Sequence, residues 1–207
     1  MTADDRLTTL HALWSVWEAH GRALTDEQWD LSTRLGDWTV RALYAHAGAW
    51  PGGLAKLVER VRDVEPTHPT AAALLRDFNR PDGIAKRDAD RVARGAREDA
   101  VTYSTAEMVE QFASTGPRAI VTARQLGPVV VDFFGLAMLR LDEAVSIGIV
   151  EATVHLLDLQ RAIGAAPAAP ADGLAHTAAV LTEMAPVVEY IELATGRATA
   201  DLFPVMT

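Results

Sequence analysis

The sequence predicts an all-α fold, a bundle of four main helices with an additional helix at the C-terminal end. Three observations carry that expectation. Apolar residues recur at three- and four-residue spacing through most long segments, the period of one helix face. A single run, residues 127–134 (GPVVVDFF), reads as a strand. With 207 residues, 49% of them hydrophobic, the chain can bury one substantial core behind short connections.

The elements follow in order. Leu7, Leu10, Leu13, Trp14 and Trp17 share one face, so the first helix is expected over about residues 4–21. A turn-rich stretch at 30–36 leads to a second helix opening near Asp37 or Thr39, with Val40, Leu43, Ala47 and Trp50 on one side. Pro51-Gly52-Gly53 is expected to kink or break it. Residues 63–83 contain Pro66, Pro69 and Pro81 and read as a long connection with one helical turn. Helical patterns resume at 84–99 and 105–125. The most apolar helix is expected over 137–163, ended by Gly164 and the linker AAPAAPADG. A last helix, 173–195, would start behind an Asp172 cap. This divides the chain into a helical bundle over 1–164 and a short helical extension over 165–207.

Composition excludes several functions. A net charge of −9 opposes nucleic-acid binding, which needs a lysine and arginine stripe. The nearest candidate, residues 85–97, alternates Lys86, Arg87, Arg91, Arg94 and Arg97 with Asp88 and Asp90, the pattern of a solvated helix face. No apolar run reaches the roughly 18 residues of a membrane span. The acidic N-terminus, MTADDRLTTL, has no signal-peptide core, so the cytoplasm is the expected compartment. Zero cysteines exclude a thiolate metal site and a cysteine nucleophile, so any thiol must come from outside.

The segment 144–157, AVSIGIVEATVHLL, is apolar almost all round and therefore interior, yet it holds Glu151 and His155. At i,i+4 the two share a face, and a buried carboxylate must be paired or bind a metal. Two readings stand: a hydrogen-bonded core pair, or two ligands of a metal. His46 turns inward from the second helix and would complete three protein ligands with an open position, the pattern of a catalytic site. Asp158, one turn beyond His155, either orients that imidazole or is a surface or capping residue. His11 and His20 read as surface residues of the first helix, His68 sits among prolines, and the five tryptophans, all within 14–50, read as core.

The segment LGDWTVRALYAHAGAW resembles the "WTV-x-x-L-x-x-H" helix of the mycothiol-dependent maleylpyruvate isomerase family, within the DinB/YfiT-like superfamily. IVEATVHLLDLQRAIG resembles its second signature, "E-x-x-x-H-x-x-D-L", and the closing ATGRATADLFPV is similar to the tail of many members. The resemblance implies a DinB-like four-helix bundle and a divalent metal held by His46, Glu151 and His155. Zinc is the usual ion, with nickel, iron or manganese suited to the same ligands. It also implies mycothiol or a related thiol as cosubstrate. The chain departs from many members at Gly148, where they carry an arginine.

The expected activity is a thiol-dependent isomerisation of, or sulfur transfer to, a small electrophile. Alternatives are a thiol-independent metal-dependent hydrolase, a tailoring isomerase or cyclase, and a helical bundle that binds a ligand without chemistry. Substrate specificity is expected from the long connection and from residues 129–134, with Phe133, Phe134 and Trp50 as pocket walls. A monomer or homodimer acting on a small molecule, with no nucleic-acid or membrane partner, is expected.

Overall fold

The computed structural model describes residues 1–199 and 204–206. Four long helical segments form the bundle that the apolar periodicity predicts. They are α1 (Ala3–Ala23), α3 (Val40–Leu57), α8 (Leu141–Ala162), and a composite of α6 (Thr105–Glu110), a π-helical turn (Gln111–Thr115) and α7 (Gly116–Leu126). Between them lie α2 (Asp26–Trp29), α4 (Ala71–Phe78) and α5 (Ile84–Thr102); α9 (Ala171–Met184) and α10 (Val187–Ala194) follow. No helix among the described residues is long and apolar enough to cross a membrane.

Side-chain caps set several helix starts. Thr2 and Asp5 close a reciprocal capping box on α1, Thr25 and Gln28 do so on α2, and Ser104 and Glu107 on α6. Thr39 accepts from the Ala42 amide and starts α3. Each such cap contributes about 1 kcal/mol.

An aromatic cluster joins the bundle at its centre. Trp17 stacks on Phe112 with centroids 5.4 Å apart, and Tyr44 meets Trp17 edge-on at 5.2 Å. The Tyr44 hydroxyl donates to the Trp17 carbonyl at 2.8 Å, and the Trp17 indole donates to Ala152 at 3.0 Å. These bonds tie α1 to α3 and α8 and satisfy polar groups that burial would otherwise leave costly. Gly21 is required here, because a Cβ at that position would collide with the Tyr44 hydroxyl.

Several expectations need correction. α3 runs through Pro51 to Leu57 without ending. The connection after it holds the two-turn helix α4. The apolar helix starts at Leu141, because residues 137–140 form a strand. β1 (Val61–Arg62), β2 (Val130–Phe133) and β3 (Ala137–Arg140) make a small antiparallel sheet in that order, with Val131 opposite Val61 and Leu139. The last helix is two: Ala185, extended at ψ 150° before Pro186, separates α9 from α10, since proline disfavours helical backbone in the residue before it. Asp172 does not cap α9; the cap position is Pro170, and Asp172 lies in the first turn, where the helix dipole favours a carboxylate. The basic segment of α5 is solvated as expected, with Arg91 on Asp88 and Arg97 on Asp37. Part of the tail resemblance, residues 200–203, lies outside the described residues.

Candidate metal centre

α8 supplies most of the site because it is buried on nearly every side, from Ala144 through Leu159. Glu151 and His155 face α3, which packs directly against α8 and presents His46 from its second turn. The Glu151 carboxylate lies 3.5 Å from His155 Nε2 and 3.8 Å from His46 Nε2. One donor atom from each of the three falls within 4.8 Å of the other two. Side-chain exposures of 23%, 21% and 16% for His46, Glu151 and His155 leave the cluster open to a ligand from one side.

Behind His155 the support is a buried carboxylate and a partly exposed guanidinium. Asp158, 2% exposed, hydrogen-bonds His155 Nδ1 at 3.1 Å, which directs Nε2 toward Glu151. Arg34 donates to the other Asp158 oxygen at 2.5 Å from the loop before α3. That loop is closed by Thr33 donating to the Trp38 carbonyl at 2.9 Å and by a bridge between Ser32 and Thr39. The same loop places Trp38 edge-on to His46 at 5.1 Å and 6.4 Å from His155. Arg34 and Trp38 are the site residues that sequence reasoning missed. Trp38 sits within the first signature but reads as core by composition, and Arg34 lies in a loop with no periodicity to mark it.

Burial opposes ionisation of Glu151, yet the hydrogen bonds and charges of His155 and His46 hold its carboxyl well below the ordinary range. Burial likewise opposes the His155 imidazolium, but Asp158 and Glu151 together raise its pKa to about 9. Asp158 is held ionised against its burial by His155 and Arg34. Without a metal, a proton on His155 thus supplies the positive charge between two carboxylates.

The donor set suits an ion. Four-coordinate zinc with bonds of about 2.1 Å sets its ligand atoms about 3.4 Å apart, close to the 3.5 and 3.8 Å found here. Glu151 has no arginine or lysine partner among the described residues, so only the two imidazoles meet its charge.

A family model described as the mycothiol maleylpyruvate isomerase N-terminal domain matches residues 10–160. The chain belongs to that family. Comparison with curated proteins and with solved structures gives no match. The matched span contains His46, Glu151 and His155, and Asp158, Arg34 and Trp38 as well.

Next to His46 opens a cavity of about 280 Å³, walled by Ala49, Trp50, Gly53, Lys56 and Phe134. Phe134 reaches it from the tip of the β2–β3 hairpin, where its φ of 55° is the one positive value among described non-glycine residues. Asp132 holds that tip by accepting from the Gly135 amide at 2.6 Å, and Arg60 and Arg62 flank its carboxylate. Phe133 does not line the cavity. It is 3% exposed and packs in the core, and it touches Phe134 edge-on at 4.9 Å. Of the other histidines, His11 is exposed, His68 pairs with Asp77, and His20 meets the buried Gln160 rather than facing only solvent.

Proposed function

We propose that the chain is a metal-dependent enzyme that uses mycothiol or a related low-molecular-weight thiol on a small electrophile, by isomerisation or sulfur transfer. The observation that carries this reading is a cluster of two imidazoles and a carboxylate whose His46 lines an aromatic-walled cavity, in a chain of this family with no cysteine. His46, Glu151 and His155 would hold the ion, with zinc the first choice for this nitrogen and oxygen set. A divalent metal there supplies a Lewis-acidic centre that lowers the pKa of a thiol brought to its open position.

The chain's own residues do the rest. Asp158 fixes the His155 ring, and Arg34 keeps Asp158 ionised, so the donor atoms need little reorganisation. Trp50 and Phe134 exclude water from the cavity and hold a flat electrophile beside His46. Thiolate addition to an activated double bond, rotation about the resulting single bond and loss of the same thiolate give cis–trans isomerisation. Protonation of the carbanion instead leaves an S-conjugate.

The test is metal content and turnover together. Protein purified without chelator should contain one divalent ion per chain and consume a maleylpyruvate-type cis-enedione or an arylating electrophile only with added mycothiol. Glu151→Gln should lose both the ion and the activity while keeping its helical circular dichroism. Full turnover without thiol would refute the thiol reading, and a fully metallated Glu151→Gln protein would refute the ligand assignment.

A further inference from the structure

Helix α3 carries a second cavity beside the one at His46. It measures about 400 Å³ and runs along Ala45, Gly48 and Gly52, under Asp99 and Tyr103 at the end of α5 and Gln111 at the π-helical turn. Ala49 and Lys56 belong to the linings of both cavities. At 100° per residue the two stripes of α3 lie roughly a quarter turn apart, and Gly52 is about 9 Å along the axis from His46. The cavities are neighbours across a ridge one alanine high.

Their chemistry differs. The cavity at His46 is walled by Trp50 and Phe134. Besides Glu107, which caps α6, the larger one is ringed by an ammonium, a carboxylate, a phenol and a carboxamide, from Lys56, Asp99, Tyr103 and Gln111. The side chains of these four form no hydrogen bond or ion pair with any other described residue. The floor stays low because it is alanine and glycine. A Cβ on Gly52 would sit 3.4 Å from Gln111 Oε1, and one on Gly48 3.7 Å from the Met108 carbonyl, so larger residues would fill the space. Gln111 opens the π-helical turn, a rare geometry that concentrates at functional sites.

The lining discriminates among ligands. An apolar guest would leave four polar groups without partners, which is costly. A phosphate or other dianion would meet Asp99 and Glu107. A neutral polyol satisfies the set, because each hydroxyl both donates and accepts, and a sugar ring offers its C–H face to Tyr103. We propose that this cavity binds the polyhydroxylated end of the thiol cosubstrate, whose thiol arm crosses Ala49 to the His46 side. Asp99, Gln111 and Tyr103 are then the residues that distinguish a sugar-bearing thiol from a simple one. This rests on the thiol-dependent reading above and locates where its cosubstrate is recognised.

Calorimetric titration of the metal-loaded protein with mycothiol and with N-acetylcysteine tests it, since the second shares the acylated cysteine but lacks the sugar and inositol. Wild-type protein should bind mycothiol at least tenfold more tightly. Asp99→Asn and Gln111→Ala should each weaken mycothiol about three- to tenfold, the weakening or loss of one hydrogen bond, and leave N-acetylcysteine within twofold. Gly52→Leu, which fills the floor, should abolish the preference without loss of metal. Equal affinity for the two thiols in wild-type protein, or variants that leave mycothiol binding unchanged or weaken both thiols alike, would overturn this inference while the thiol-dependent reading stands. Binding of neither thiol to metal-loaded protein would overturn both.

Discussion

Metal affinity should rise with pH by an amount that His155 sets. In the metal-free site, burial works against the imidazolium, but Asp158 and Glu151 outweigh it and raise the pKa to about 9. A metal takes the neutral imidazole, so near pH 7 a proton must leave as the ion enters. Apparent affinity should therefore climb about tenfold from pH 7 to 8, about 50-fold from pH 7 to 9, and level off above. Stability of the metal-free fold should move the other way. A raised histidine pKa adds stability that is complete below the unfolded value of about 6.5 and is lost as pH rises through about 9. The full difference is about 3 kcal/mol. Competition calorimetry at pH 7, 8 and 9, in two buffers of different ionisation enthalpy, reads both the affinity and the proton released, about one per ion at pH 7 to 8. Urea unfolding of chelator-stripped protein supplies the stability arm. Asp158→Asn removes one of the groups that raise the pKa, so its affinity should vary less with pH. Wild-type affinity that is flat between pH 7 and 9, or the same slope in Asp158→Asn, would refute the reasoning.

Removing support behind the ligands should weaken the ion without unfolding the chain: Asp158→Ala or Arg34→Ala should lower metal affinity about 10- to 100-fold, measured by chelator competition. Phe134 offers a test of backbone strain at the cavity wall. Both Phe134→Ala and Phe134→Gly lose the ring over Gly53, but only glycine is at ease with a φ of 55°, so the glycine variant should be the more stable by about 1 kcal/mol in urea unfolding. Equal stabilities would show that the hairpin tip relaxes.

How far the sequence could be read follows from what each signal measures. The 3–4 apolar period located α1, α3 and α8 because each buries a broad face. The i,i+4 spacing on an otherwise apolar helix marked Glu151 and His155, because helical geometry alone puts them together. The meeting of His46 with them is a matter of α3 packing on α8, which the two-signature resemblance implied and periodicity could not. β3 was hidden because Ala137, Met138 and Leu139 extend the apolar run of α8, and a short apolar strand has no period distinct from a buried helix. The break at Pro186 is legible from proline chemistry, although the apolar pattern runs on through it. Arg34 carried no local signal, since its partner Asp158 is distant in sequence and near only in the fold.

His46 and Glu151 lie about half the chain apart in sequence, on two helices that meet only when the bundle has assembled. An ion held between them is a cross-link, the one covalent-like staple open to a chain with no cysteine. A tie closing a loop of this length is worth about 4 to 5 kcal/mol in the chain-entropy picture used for disulfides. An ion that binds only the assembled site holds back unfolding while leaving the rate of folding almost untouched. With such an ion bound, the lifetime of the folded molecule would track the supply of free metal, and a chelator would act on it as a reductant acts on a disulfide-bonded protein.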